Sequence, residues 1–175
     1  MKILISAFDP FNGRETNISK EVLELLSSDF DKAQLPTSYE RSFIELRKKI
    51  DSIRPDLILM LGESSQAVDL EIERVAINFC DCSIPDNDEI VLKHSKISHH
   101  SRDLLESNLD FEKLSDFKIS YHAGTYVCNC LFYKTLNYLE SSSLESLATF
   151  VHLPTKGDVN SLCSKIESLV ETIRT

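Results

Sequence analysis

Apolar runs of strand length alternate with amphipathic segments of helix length, and this alternation limits the possible folds more than any other feature. Leu57–Leu61 (LILML) is wholly apolar, which is typical of a strand buried on both faces of a sheet. It follows a segment whose apolar residues recur with helical period until Pro55 ends it. Further strand-like runs lie at Lys2–Ala7 and Leu147–Leu153. The sequence therefore predicts an α/β fold of three layers, α/β/α, with a mostly parallel twisted central sheet.

Capping and turn signals place the remaining elements. Asn17 or Ser19 can cap the first helix and Asp158 the last, and the alternating segment Val68–Phe79 predicts extended chain half covered by the core. We expect a single domain, residues 1–175. The other predicted elements are a helix to about Ser27, a strand near Ala33–Leu35, a helix over Phe43–Ile53, a short helix near Arg102–Leu109, a strand at Phe117–Ser120, a helix from Cys128 to about Leu139 and a helix over Val159–Ile173.

Charge and composition exclude several classes of partner. The 175 residues carry a formal charge of −9, which argues against nucleic acid and anionic membrane surfaces, because both require a basic face. No apolar run reaches the about 18 residues of a membrane span, and the first residues, MKILISAF, are too short a run for a signal peptide. We therefore expect a cytoplasmic protein. In that reducing compartment the five cysteines argue against structural disulfides and for one reactive thiol.

Four polar segments follow predicted strands: SAFDPFNG, GESSQ, AGTYVCN and HLPTKG. Carboxyl ends of parallel strands share one edge of a sheet, where sites form. Cys128 stands at a predicted helix start after Gly124, and a helix amino terminus favours a thiolate and offers N–H groups to an oxyanion. His152 can accept and return a proton, and a buried carboxylate such as Glu73 can fix its tautomer. These residues are the candidate catalytic groups.

Each candidate also has an ordinary structural interpretation. A cysteine before a helix is often a small buried hydrophobe, His152 is equally consistent with a core histidine, and glutamates in strands are usually solvated. Phe8 and Phe11 can line a pocket or simply belong to the core. For Asn17 the structural alternative is helix capping.

Paired cysteines raise a metal site as a further alternative. Cys80 and Cys82, and Cys128 and Cys130, are each separated by one residue, and the chain has five histidines. Zinc sites usually separate their cysteines by two to four residues, so the match is weak. His99 and His100 lie in a polar stretch typical of a surface.

Five blocks occur in order between Met1 and about Pro154: FDPF with Asn17 downstream, ERVAIN at Glu73–Asn78, IPDN at Ile84–Asn87, AGTYVCN at Ala123–Asn129 and VHLP at Val151–Pro154. Together they resemble the pyroglutamyl peptidase I family, the pyrrolidone carboxyl peptidases, which are cytosolic cysteine peptidases. The resemblance implies removal of an amino-terminal pyroglutamyl residue from peptides, with no cofactor and no metal. It also raises a homo-oligomer as an expectation to test, since part of the usual oligomer contact belongs to the divergent region Asp88–Ser115.

The resemblance assigns roles to individual residues. Cys128 corresponds to the nucleophile, and Glu73 and His152 to the rest of its triad. Phe8 and Phe11 correspond to the phenylalanines that hold the pyrrolidone ring, with Asn17 as a further substrate-binding residue.

The chain departs from the family pattern near these positions. GESSQA stands where the family usually has a GQAGGR-like loop, and FDPFNG where it has FDPFGG. Ser83 replaces an arginine near the oxyanion site, and Asp88–Ser115 is shorter than in the family and unlike it. These departures keep two alternatives open: an impaired or altered specificity, or a homologue without activity that binds a peptide or lactam in the same pocket.

Overall fold

Eight strands and four helices make up the computed structural model, which describes residues 1–175. The strands are β1 (Ile3–Phe8), β2 (Asp31–Leu35), β3 (Leu57–Ser64), β4 (Glu71–Glu73), β5 (Val75–Ile77), β6 (Leu104–Glu106), β7 (Lys118–Ser120) and β8 (Leu147–Pro154). The helices are α1 (Ile18–Leu25), α2 (Arg41–Ile53), α3 (Val127–Ser141) and α4 (Val159–Arg174). With one exception, given below, the elements lie within a few residues of their predicted places.

Six strands form the main sheet, in the order β2-β1-β3-β8-β4-β7. The pairs β1–β2, β1–β3, β3–β8 and β4–β7 are parallel, which confirms the mostly parallel sheet. Strand β4 is antiparallel to β8, and Glu71 at its start pairs with His152 near the end of β8. The amino end of β4 therefore lies at the same edge as the carboxyl ends of β3 and β8.

Alternate residues of the central strands face two separate cores. Ala148 and Phe150 of β8 pack in the core covered by α2 and α3, whereas Val151 and Leu153 pack in the core covered by α1 and α4. The predicted three-layer arrangement is thereby confirmed. By the same alternation His152 lies on the face covered by α2 and α3.

Side chains cap two of the helices as the sequence predicts. The Asn17 carboxamide oxygen accepts the Ser19 N–H at 3.0 Å, and an Asp158 oxygen accepts the Ser161 N–H at 2.8 Å. Each cap satisfies a donor that the first turn of a helix leaves unpaired. None of the four helices combines the length and apolar character that crossing a membrane requires.

The helix predicted near Arg102–Leu109 is wrong, because that stretch contains β6. This strand pairs antiparallel with β5 in a separate two-stranded sheet. Leu105 is buried between exposed Leu104 and Glu106, so burial alternates with the period of two that is typical of a strand. Three residues are too few for this alternation to be recognised in the sequence. Pairing with β5 decides the conformation.

The extended segment predicted at Val68–Phe79 is confirmed, but it divides at Arg74. The residues before Arg74 form β4 of the main sheet, and those after it form β5. Glu73 is the last residue of β4 and pairs with Phe150 of β8. The division places the Glu73 side chain inside the main sheet's core.

Candidate active site

A cavity of about 790 Å³ opens at the carboxyl ends of β3 and β8. The structure brings Cys128, His152 and Glu73, the three candidate catalytic residues, together in its lining. The lining consists of Glu63, Ser64, Ser65, Gln66, Glu71, Glu73, Ile84, Ser120, His122, Ala123, Gly124, Tyr126, Cys128 and His152. A second cavity of about 540 Å³, between Met1 and Leu147 at the amino ends of the strands, contains no thiol or imidazole.

Cys128 lies in the first turn of α3. The chain enters this helix through Gly124, whose φ of +79° lies in the left-handed region that favours glycine. Tyr126 is the N-cap residue, and no side chain forms a capping hydrogen bond. No side chain therefore occupies the N–H groups of the first turn, and such free groups at a helix start can stabilise negative charge. The predicted glycine turn and helix start at Cys128 are both present.

His152 and Glu73 reach the site from two neighbouring antiparallel strands, β8 and β4. The distance between His152 Nδ1 and Glu73 Oε1 is 2.7 Å, and both side chains are buried. Glu73 is only 1% exposed, so it is not the solvated strand residue that glutamate usually is. Because Nδ1 faces Glu73, the remaining ring nitrogen, Nε2, is the one that can exchange a proton with another group.

The environment of His152 favours the imidazolium form. Burial is the largest effect on the pKa of His152 and lowers it, since desolvation disfavours charge. Hydrogen bonds to Cys128 and Glu73, together with the negative charges of both groups, more than offset burial and raise the pKa of His152 to about 10. The imidazole next to Glu73 is therefore held in its protonated form.

The residues expected to bind substrate lie beside the cavity and not in its lining. Phe8 is buried in the core, with its ring centroid 6.3 Å from that of Phe150. Phe11 is half-buried and packs against the Tyr126 ring in a tilted arrangement, at a centroid distance of 5.7 Å. Asn17 caps α1 and donates its amide to the Asp9 carbonyl at 3.3 Å, so its side chain shapes the loop that carries Phe11.

Tyr126, which the sequence reasoning did not single out, connects several loops at the cavity wall. Its hydroxyl donates to the Pro85 carbonyl at 2.8 Å, and its ring also packs edge-on against Tyr39 at 5.5 Å. Through Phe11 and Pro85 it joins the FDPF and IPDN segments to the start of α3. Its position within AGTYVCN, two residues before Cys128, was the only signal in the sequence.

Side-chain amides tie the other sequence blocks together. Asn129 Oδ1 accepts the Ile77 N–H at 2.9 Å, and its Nδ2 donates to the carbonyls of Ile77 and Phe79 at 2.9 and 3.0 Å. Asn87 Nδ2 donates to the Pro10 carbonyl at 3.0 Å. These bonds fix the relative positions of segments that are far apart in sequence.

Glu63, a second residue that the sequence reasoning missed, anchors the loop after β1. Its side chain is only 4% exposed, lines the cavity, forms an ion pair with Arg14 and accepts the Ile18 N–H at 3.3 Å. The Arg14 N–H donates to the Phe11 carbonyl at 3.1 Å across a turn in which Asn12 and Gly13 both have positive φ. Asn12 replaces glycine of the family pattern there, and asparagine tolerates this region.

Ser83 does not line the cavity, although the next residue, Ile84, does. Its hydroxyl accepts a hydrogen bond from Lys93 Nζ at 2.7 Å, and the same ammonium lies 3.5 Å from Asp81 Oδ1. A cation therefore lies next to Ser83, the position at which the resemblance to the family implies an arginine.

The paired cysteines are not joined by further possible metal ligands. All five cysteines are free, and no group of three or more His, Cys, Asp or Glu side chains is arranged to hold a metal ion. Cys80 and Cys130 are buried in the core that α3 covers, where they act as small apolar residues.

Comparison with known proteins identifies the family. The sequence model of the pyroglutamyl peptidase family matches residues 1–168. Pyrrolidone-carboxylate peptidase 1 of Caldanaerobacter subterraneus subsp. tengcongensis is 35% identical over 167 residues, covering 88% of this chain and 82% of the relative. Pyroglutamyl peptidase I of Bacillus amyloliquefaciens superimposes with a TM-score of 0.91 at 25% identity, covering 98% of this chain and 96% of that chain. The pyrrolidone carboxyl peptidase of Thermococcus litoralis superimposes with a TM-score of 0.89 at 26% identity, covering 98% and 92%. The chain belongs to the pyroglutamyl peptidase family.

Proposed function

We propose that this chain is a cysteine peptidase that removes an amino-terminal pyroglutamyl residue from peptides through an acyl-enzyme. The observation that carries the proposal is that Cys128, His152 and Glu73 line one cavity, with His152 Nδ1 2.7 Å from Glu73 Oε1. A thiol, an imidazole and a buried carboxylate in this order form the arrangement that activates a nucleophile in acyl transfer. Membership of the pyroglutamyl peptidase family supports the choice of acyl group.

In the first half of the reaction the Cys128 thiolate attacks the carbonyl carbon of the pyroglutamyl residue. The carbonyl oxygen becomes an oxyanion, which N–H groups at the uncapped start of α3 stabilise. The C–N bond then breaks as the His152 imidazolium gives its proton to the departing amine. The products of this half are a thioester on Cys128 and the shortened peptide.

In the second half a water molecule attacks the thioester carbonyl while neutral His152 accepts its proton. The C–S bond breaks, pyroglutamate leaves, and the thiolate–imidazolium pair is restored. Glu73 holds Nδ1–H throughout, so that Nε2 always faces the reacting atoms. Because Glu73 is buried, its orientation of the ring is not weakened by water.

Hydrolysis of a chromogenic pyroglutamyl amide by the reduced protein tests this proposal, with Cys128→Ser as the control. We expect turnover by the wild type and none by the variant. The corresponding prolyl amide, which lacks the ring carbonyl, should not be cleaved. Absence of turnover above the Cys128→Ser level would overturn the enzymatic proposal, and equal cleavage of the prolyl amide would overturn the specificity. Calorimetric binding of a pyroglutamyl peptide without turnover would instead support the alternative, a ligand-binding homologue.

A further inference from the structure

A strand glycine stands directly beside the candidate catalytic histidine. Gly62 of β3 pairs with His152 of β8 in the parallel register. Paired residues on neighbouring strands project to the same face of a sheet. A side chain at position 62 would therefore point, like the imidazole, into the space between the sheet and α3.

A methyl group at this position would collide with two side chains of the site. An ideal Cβ on Gly62 would lie 2.6 Å from Phe150 Cζ, 2.9 Å from Phe150 Cε1 and 3.0 Å from Cys128 Sγ. The first two distances are below any normal carbon contact. The backbone itself is not the reason for a glycine, because Gly62 has no positive φ. Glycine in a strand interior weakens the strand, so its presence at position 62 requires an explanation, and the close approach of Phe150 and Cys128 supplies one.

The surrounding rings cannot easily move away. Phe150 is fully buried, with ring centroids 6.3 Å from Phe8, 6.2 Å from Phe132 and 4.9 Å from His152. Interiors packed at this density transmit strain instead of absorbing it. If Phe150 moved to make room for the methyl group, it would press on His152. If Cys128 moved instead, its Sγ would be pushed away from the strand.

We propose that Gly62 is a positioning residue for the cysteine and histidine pair, because its missing side chain leaves the space in which Cys128 Sγ meets His152. The inference rests on the proposed function for its catalytic consequence, but its geometric consequence is independent of turnover. With alanine at position 62, the thiol and the imidazole are held apart or misaligned. The thiolate then loses its cationic partner and reacts more slowly with any electrophile.

Gly157 provides a matched control. An ideal Cβ there would lie 2.6 Å from Leu162 Cδ1, as close as the shortest contact at Gly62, and Gly157 likewise has no positive φ. Gly157→Ala therefore introduces an equally short contact, here with the far end of an apolar side chain, at a residue that does not line the cavity. Loss of thermal stability is expected in both variants. A change in the chemistry of Cys128 is expected only in Gly62→Ala.

The experiment measures the rate of alkylation of Cys128 by iodoacetamide as a function of pH, by mass mapping, in wild type, Gly62→Ala and Gly157→Ala. A misplacement of about 1 Å can reduce catalysis about 10²-fold. We expect Gly62→Ala to react at least about tenfold more slowly near neutral pH, with a changed pH profile, and to lose kcat on a pyroglutamyl amide by about 10²-fold. Gly157→Ala should retain the wild-type pH profile and kcat.

A double variant covers the case in which Gly62→Ala does not fold. Phe150→Leu removes the ring atoms that the new methyl group meets, while the 3.0 Å approach to Cys128 remains. Gly62→Ala/Phe150→Leu should then alkylate more slowly than Phe150→Leu alone. Equal rates in these two proteins, or an unchanged pH profile in folded Gly62→Ala, would overturn the proposal. If the wild type shows no turnover, the proposed function fails, while the alkylation measurement still decides the role of Gly62.

Discussion

Replacing Arg14 by alanine would leave the Glu63 carboxylate as a buried charge with only one hydrogen bond, the 3.3 Å contact to the Ile18 N–H. Breaking a fully buried ion pair destabilises a protein by about 3–5 kcal/mol. Arg14 is 41% exposed, so water can reach part of the space that it vacates, and the value for an unsatisfied group, about 1–3 kcal/mol, is the better guide. We therefore expect Arg14→Ala to lower the free energy of unfolding by about 2 kcal/mol.

Arg102 offers a control with the same chemistry. Its ion pair with Glu140 is on the surface, where the two side chains are 64% and 58% exposed. Exposed pairs contribute little, so Arg102→Ala should change stability by less than about 0.5 kcal/mol. Adding Glu63→Gln to Arg14→Ala removes the buried charge and should recover about 1 kcal/mol. Urea unfolding in reducing buffer, followed by circular dichroism, measures all four proteins.

The kinetic consequence of Arg14→Ala should appear in KM. Arg14 fixes the turn that carries Phe11, which packs against Tyr126 of the cavity lining, and its side chain pairs with Glu63 and not with Cys128 or His152. If the loosened turn loses about 1.4 kcal/mol of substrate binding, KM rises about tenfold while kcat stays within about threefold. Equal stabilities of Arg14→Ala and Arg102→Ala, or a fall in kcat with unchanged KM, would refute this reasoning.

Three further predictions concern the reactive groups. Limited iodoacetamide should label Cys128 first in mass mapping, since of the other thiols only Cys82 is not buried; prior labelling of Cys82 would contradict the assignment. Glu73 raises the pKa of His152, so the imidazolium persists to higher pH when Glu73 is present. Glu73→Gln should therefore reduce kcat and move the alkaline limb of the kcat/KM profile to lower pH. An alkaline limb that does not move would exclude this coupling. If the family's arginine supports the oxyanion, Ser83→Arg should raise kcat more than it lowers KM in steady-state kinetics. No gain in kcat would indicate that the Lys93 ammonium beside Ser83 already supplies the positive charge.

Local signals explain most of what the sequence predicts correctly. LILML encodes a buried strand through composition alone, and Asp158 marks a helix start through its own hydrogen bond. The direction of β4 has no such signal, because three residues of alternating polarity fit a parallel and an antiparallel pairing with β8 equally well. The strand β6 was missed for a related reason: its conformation comes from pairing with β5 and not from its own pattern.

The candidate site divides in the same way. Gly124 and Cys128 form a local unit, a turn followed by a helix start, and such a unit can be predicted from a few residues. Glu73 is buried because it belongs to the main sheet and not to the two-stranded sheet, whereas the alternating sequence pattern alone favours a solvated side chain. Glu63 reaches Arg14 across 49 residues and Tyr126 reaches Pro85 across 41, and contacts of that range depend on the assembled fold.

The amides of Asn129 and Asn87 have a consequence for recognising relatives of this chain. Their hydrogen bonds join the loops around the cavity without involving a reacting atom. A relative that lost the thiol of Cys128 would keep these bonds and would still display the same sequence blocks. Matching the blocks thus identifies the scaffold, whereas the proposed chemistry depends on a cysteine, a histidine and a glutamate at positions 128, 152 and 73. A genome search intended to separate peptidases from inactive descendants therefore has to score these three positions separately from the rest.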